Sequence, residues 1–126
     1  MNFVVDTDIF IDFLRGVEAS KIFFKKIFNS EIVAFVSVIT EAELMSGEEC
    51  NDVNKKLDIA ALLGLVSKVD VNSYIASKAG ELRRRYKITI TDAIIAATAL
   101  EINAPIYTRN TKDFSKINEL EVKPPY

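Results

Sequence analysis

Apolar positions along the chain follow two alternating rhythms. Phe3-Val4-Val5 is a short run rich in β-branched residues that stops at Asp6, and it predicts a buried strand. From Thr7 the period lengthens: Ile9, Phe10, Phe13 and Leu14 form a helical stripe, with Gly16 placed to cap it. Glu18 to Phe28 predicts a second helix, with Ile22, Phe23 and Ile27 on one face and Lys25 and Lys26 outside. Ile32 to Val36 is the next strand, after which Ser37 caps a helix through Met45 that ends at Gly47. Asp52 to Leu63 is more polar, yet Val53, Leu57, Ala60 and Ala61 keep helical spacing. Leu65 to Val69 predicts a strand, and Asn72 caps a helix running to about Tyr86. Thr91 to Asn103 is apolar on nearly every side, as a central buried helix is. Pro105-Ile106-Tyr107 opens another strand, and Leu120-Glu121-Val122 a short last one before Pro124-Pro125.

Strands alternating with helices predict an α/β fold with a mainly parallel sheet. The chain of 126 residues shows no repeats, low-complexity segments or linkers, so residues 1–126 are expected to form one domain. In such sheets ligands bind outside the carboxyl ends of the strands. That rule turns scattered polar residues into a site. Asp6 ends the first strand, Thr108 and Asn110 follow the strand at Ile106-Tyr107, and Glu43 lies on the helix after Ile32–Val36. Asp92 sits in the first turn of the apolar helix.

Composition matters here chiefly through what is missing. There is no His and a single Cys, which excludes Ser-His or Cys-His nucleophilic pairs, imidazole acid–base chemistry, His-ligated zinc and an internal disulfide. What remains for chemistry is carboxylate. The N-terminus has no basic leader region, and the longest apolar stretch, Ala93 to Leu100, falls far short of the roughly 20 residues a bilayer needs. A cytoplasmic protein without membrane contact is the expectation. The net charge of −2 gives no sign of a nucleic-acid partner.

Each acid also has a plain structural explanation. Asp6 would be costly directly after a buried strand unless paired or metal-bound, but it, Thr7 or Asp8 would also serve as a helix cap. Thr40-Glu41-Ala42-Glu43 fits a capping box, and Glu41 and Glu43 lie about 200° apart on a helix, so only one of them faces a given site. Asp92 after Thr91 suits helix electrostatics. Thr108-Arg109-Asn110-Thr111-Lys112-Asp113 is a polar loop of a common kind. Arg83-Arg84-Arg85 and Lys87 suit a helix C-terminus and fan around it instead of forming one stripe. The combination is more telling. If Asp6, Glu43, Asp92 and Asp113 converge, each pair at about 5 Å repels by roughly 3 kcal/mol at an effective dielectric near 20. Only protons or cations make such a cluster tolerable, and all-oxygen ligands select hard ions, Mg²⁺ or Mn²⁺. Phosphate-ester hydrolysis uses ions of this kind.

Val5-Asp6-Thr7-Asp8, Glu43-Leu44-Met45-Ser46-Gly47, Asp92 through Ala99 and Thr108-Arg109-Asn110-Thr111-Lys112-Asp113-Phe114 occur in this order across the chain. Together they resemble the PIN-domain ribonucleases, specifically the small VapC type of toxin–antitoxin pairs, from about Asn2 to Val122. The resemblance implies a three-layer α/β/α fold around a parallel sheet, a homodimer, a VapB-like antitoxin partner, and Mg²⁺- or Mn²⁺-dependent endonucleolytic cleavage of RNA. It matches Asp6, Glu43, Asp92 and Asp113 to the family's acidic quartet and so selects Glu43 over Glu41. Asp6, Asp92 and Asp113 are the implied metal ligands, and Thr108 and Asn110 the supporting polar positions. Asp8 departs from the family, which more often has Asn there. Arg15, Arg109 and Arg83, Arg84 and Arg85 are the candidate RNA-binding residues. Once four acids are assigned to metal, 16 positive charges face 14 negative ones, and net charge no longer argues against RNA.

Other readings compete. Asp6-Thr7-Asp8 also resembles the first motif of haloacid-dehalogenase-type phosphatases, although Asp113 has no acidic neighbour to complete that pattern. A receiver domain would want its acceptor Asp after a central apolar strand, whereas Asp52 and Asp58 lie in a polar helical stretch. A PIN domain acting mainly as a binding module is the third.

Overall fold

A computed structural model describes residues 1–126. Five parallel strands, β1 (Asn2–Val5), β2 (Val33–Ser37), β3 (Ser67–Val69), β4 (Ile106–Tyr107) and β5 (Val122–Lys123), lie in the order β3-β2-β1-β4-β5. Connecting them are α1 (Thr7–Leu14), α2 (Glu18–Phe28), α3 (Val38–Met45), α4 (Val53–Leu63), α5 (Ser73–Tyr86), α6 (Ile90–Glu101) and the single-turn α7 (Thr111–Phe114). The chain runs outward from β1 in one direction and then returns to extend the sheet from β1's other edge. The order therefore reverses between β1 and β4, and in parallel sheets that crevice is where ligands bind. A receiver domain has the order 2-1-3-4-5, which this sheet does not follow.

Strand alternation divides the core into two layers. Val4 and Ile106 enter a cluster with Ile75, Ala79 and Leu82 of α5 and Ala93, Ile95, Ala96 and Ala99 of α6. Phe3, Val5, Ala34 and Val36 point the other way, toward Ile9 and Phe10 of α1, Phe23, Phe24 and Ile27 of α2, and Ile59, Leu62 and Leu63 of α4. Helices cover both faces, which is the expected three-layer α/β/α arrangement. On the α1–α2 side the aromatics interlock: Phe10 meets Phe24 edge-on at 5.2 Å, and Phe23 meets Tyr107 at 4.9 Å. Such pairs add about 0.5–1.5 kcal/mol each beyond their area, and here they hold α1 and α2 against β4.

Local boundaries agree with the sequence except where short-range signals were degenerate. Strands β2 and β5 begin one or two residues later than their apolar runs suggest, and β3 keeps only the last three residues of Leu65–Val69. Thr89, not Thr91, caps α6, its hydroxyl accepting from the Asp92 N–H at 3.2 Å. No capping box forms at Thr40: Ser37 caps α3, which leaves Thr40 inside the helix and fully buried. A 3-10 turn forms at Glu48–Asn51, and helix α7 arises within the stretch expected to be a polar loop. The stripe expected on α4 is also rotated. Ile59, Leu62 and Leu63 are buried, whereas Val53 and Leu57 are 70% and 60% exposed. No helix is long and apolar enough to cross a membrane.

Candidate active site

Asp6 is the first residue beyond β1 and only 5% exposed. It is also the N-cap of α1, so the capping role and a site role coincide in one side chain. Its Oδ1 accepts the Thr7 N–H at 2.8 Å and its Oδ2 accepts the Thr108 hydroxyl at 2.7 Å. Thr108 follows β4, which pairs with β1, so the register Val5↔Tyr107 places the two residues side by side across the crevice. The Thr108 hydroxyl in turn accepts the Asn110 N–H at 2.9 Å.

Asn110 bridges the next pair of acids. Its Nδ2 donates to Asp92 Oδ2 at 3.3 Å and to Asp113 Oδ2 at 3.1 Å. Glu43, on α3, is held by the Thr7 hydroxyl, which donates to Oε1 at 2.7 Å and lies 3.0 Å from the buried Thr40 hydroxyl. Glu41 points elsewhere and pairs with Lys68 at 3.1 Å, as its helical offset from Glu43 requires. Asp6, Glu43, Asp92 and Asp113 are thus tied into one connected network. Thr108 and Asn110 are the hydrogen-bond partners that link Asp6, Asp92 and Asp113.

The electrostatics show the cost of this arrangement. Burial, then the neighbouring charges of Asp8 and Asp92, push the Asp6 carboxyl up to about 7. Asp92 is also raised, by burial first, with Glu43 and Asp113 adding repulsion. Asp8 is raised by its burial, against the relief that Arg109 supplies. Asp113 is lowered instead by its hydrogen bond to Asn110 and by Lys116, which lies 3.2 Å away. Three carboxylates held against their preferred charge state, facing one crevice, form a site built to receive positive charge.

A divalent cation fits these residues. The donors are oxygen alone, and Asp8 Oδ1 is buried without any hydrogen-bond partner. No three acidic side chains close into a ready cage. Asn110 Nδ2 bridges Asp92 and Asp113, and so open a set of oxygens suits a small ion bound partly through water better than an all-protein shell.

The basic candidates divide. Arg109 donates its backbone N–H to Asp8 Oδ2 at 3.1 Å, and its Nε contacts Asp12 Oδ2 at 2.7 Å, so it braces the loop against α1. Asp12, 8% exposed, also receives the Tyr126 hydroxyl. Arg15, at the end of α1, shares a cavity of about 650 Å³ with Glu43, Gly47 and Lys55. Arg83, Arg84 and Arg85 sit apart on α5, and Arg85 lies over the Tyr86 ring at 5.3 Å. Sequence reasoning gave Thr7 and Thr40 capping roles only and passed over Asp12 and Tyr126. Thr7 carried a signal, being enclosed between two site acids; the others meet their partners only through tertiary packing.

An oxygen-only acid site at the switch point of a parallel sheet is the arrangement that suits hydrolases using hard divalent ions. Within that class the assignment is specific: the PIN domain family model matches residues 3–120, and the chain belongs to that family. It is 34% identical to Ribonuclease VapC of Rickettsia bellii over 132 residues, covering 97% of this chain and 95% of the relative. It is 31% identical to Ribonuclease VapC19 of Mycobacterium tuberculosis, with 98% of each chain covered. Among solved structures, a toxin–antitoxin complex from Klebsiella pneumoniae superposes with a TM-score of 0.78 at 30% identity, covering 98% of both chains. VapBC-1 of nontypeable Haemophilus influenzae gives 0.81 at 26% identity, covering 99% of this chain and 98% of the other. Membership in this family leaves the phosphatase reading without support.

Proposed function

We propose that this chain is a divalent-metal-dependent endoribonuclease and the toxin of a VapBC-type toxin–antitoxin pair, acting in the cytoplasm. The observation that carries the reading is the network joining Asp6, Glu43, Asp92 and Asp113 through Thr7, Thr108 and Asn110 at the β1–β4 crevice. Relatives named ribonucleases at full-length coverage support it.

Asp6, Asp92 and Asp113 would hold the cation, Mg²⁺ or Mn²⁺, with Glu43 completing the site. When bound, that ion supplies the acidification of water and the neutralisation of phosphate charge that phosphodiester hydrolysis needs. The chain's own residues do the positioning. Thr108 fixes the rotamer of Asp6, and Asn110 sets the gap between Asp92 and Asp113. Thr7 holds Glu43 by one oxygen, which leaves Oε2 to face a water or the substrate. Cleavage of single-stranded RNA in Mg²⁺ or Mn²⁺ should stop with EDTA and fall about a hundredfold or more in Asp92→Asn. Undiminished cleavage in either case would contradict the metal mechanism.

The antitoxin partner fits a second surface. Phe13, Leu14, Phe28, Ala61, Leu62 and Leu65 line an apolar groove of about 370 Å³ between α1, α2 and α4. Leu65 and the neighbouring Leu57 are 51% and 60% exposed, and exposed apolar clusters of this kind mark protein interaction sites. Two structural neighbours are toxin–antitoxin complexes. Leu57→Asp with Leu65→Asp should weaken binding of the coexpressed neighbouring gene product by about tenfold or more while RNA cleavage persists. Unchanged copurification would remove the groove from the partner interface. Self-association into the homodimer is checked by sedimentation.

A further inference from the structure

We infer that Arg83, Arg84 and Lys87, at the C-terminal end of α5, form a phosphate-binding subsite that holds the RNA backbone beside the acidic centre; this rests on the ribonuclease reading above. These residues, with Gly80 and Ile88, line an open pocket of about 410 Å³ that contains no acidic side chain. None of the three cations has an ion-pair partner, so each keeps its charge for an anion.

Helical geometry explains which cations share the pocket. At 100° per residue, positions 80, 83, 84 and 87 fall within one arc of about 100°, and position 85 falls outside it. The sequence groups Arg83, Arg84, Arg85 and Lys87 at one helix end and expects them to fan around it; the structure brings Arg83, Arg84 and Lys87 to one pocket and turns Arg85 onto Tyr86. Arg83 is held in place by Nη1, which donates to the Ile88 carbonyl at 3.1 Å. Its remaining N–H groups are left for a ligand.

Gly80 is the second observation. A glycine inside a helix is unfavourable relative to alanine, and nothing here demands one, since an added Cβ would meet no atom within 4 Å. Its effect is to keep the pocket floor open. The favourable interaction of cations with a helix C-terminus accounts for basic residues at this end, but not for a pocket that they line.

Position selects the ligand. Lys87 closes α5 in a left-handed conformation (φ 59°), and the chain turns through Ile88 to Thr89, which caps α6. Asp92 lies four positions after Ile88, so the pocket edge and the acidic centre lie within about 14 Å of each other. The acidic centre repels a polyanion. A patch of unpaired cations a few nucleotides away supplies the local attraction that a chain of net charge −2 cannot provide as a whole. A backbone that spans both features satisfies both; a free anion has no reason to bind so near the acids.

The test uses the full chain and a single-stranded RNA oligonucleotide that the protein cleaves. Replacing Arg83, Arg84 and Lys87 together by Ala should raise KM roughly tenfold or more with kcat little changed. In an Asp92→Asn background, the slope of log binding constant against log salt should shrink by about 0.7 for each phosphate contact removed. Gly80→Leu, which places an apolar side chain in the pocket lining and keeps every cation, should also raise KM, and Arg85→Ala should not. Unchanged KM and salt slope in the triple variant overturn the subsite while leaving the ribonuclease reading intact. Inorganic phosphate titrated alone should neither saturate the pocket nor compete with RNA at low millimolar concentration; tight phosphate binding lost in the triple variant, with RNA KM unaffected, assigns the pocket to a free anion instead. If the unaltered chain neither cleaves nor binds RNA, the ribonuclease reading fails, and the subsite fails with it.

Discussion

Asp6→Asn should abolish RNA cleavage and at the same time make the metal-free protein more stable. The two effects have one cause. Asp6 is 5% exposed beside Asp8 and Asp92, and its carboxyl is displaced from 3.8 to about 7. Between those values the folded state binds a proton that the unfolded chain has lost, so stability falls as pH rises through this window and levels off above about 7. At about 1.4 kcal/mol per pKa unit, the loss is on the order of 4 kcal/mol. Asn has no charge to bury and caps a helix as well as Asp does. The melting temperatures of variant and parent should therefore be close at pH 4.5 and diverge by roughly 10 °C at pH 8. Mg²⁺ or Mn²⁺ should raise the parent's melting temperature more than the variant's. A parent whose metal-free stability is flat from pH 5 to 8 would show that Asp6 is not held out of its ordinary range.

Thr108→Val should damage both stability and activity, although it changes shape very little. Thr108 is fully buried, and its hydroxyl donates to Asp6 while accepting from Asn110. Valine fills the same volume and leaves both partners unsatisfied, at about 1–3 kcal/mol for each. It also frees the rotamer of Asp6 and the loop that carries Asn110, so cleavage should fall about 10- to 100-fold, as is usual when a group supporting a metal ligand is removed. Thr108→Ser is the control, because it keeps the hydroxyl and loses one methyl. Chemical denaturation measures the stability change and single-turnover cleavage the chemistry. Equal activity of the Val and Ser variants would mean that Thr108 serves packing alone.

Much of the architecture was legible because two periods, 2 and 3.6, encode it directly. Val4 and Val5 point to opposite layers as strand alternation requires, and α6 is buried on nearly every side as its composition requires. What escaped were features decided by competition between near-equivalent local signals or by distant partners. Thr89 and Thr91 are both good caps, and only the path of the chain after Lys87 selects the first. Helix α7 is a single turn, too short for any periodicity to show, and it forms because β4 and Phe114 anchor its ends. Val53 and Leu57 look like core on α4 but lie on its open side. The acids were readable from their places after strands and in first turns. The hydroxyls that organise them were not, since Thr7 and Thr40 are 33 residues apart and the short-range pattern carries no trace of their meeting.

The bond between Thr108 and Asp6 spans 102 residues of sequence. The site is therefore absent from any partial chain: until β4 has been made and has docked against β1, Asp6 lacks its hydrogen-bond donor, and Asn110 and Asp113 do not yet exist in place. Long-range pairing of this kind forms late, after the local helices. During synthesis the nascent chain carries Asp6 without a competent site around it until residues 106–113 have emerged and folded. Hydrolytic capacity waits for the docking of β4 against β1, and the earlier part of a polypeptide that destroys RNA is by itself harmless to the message that encodes it.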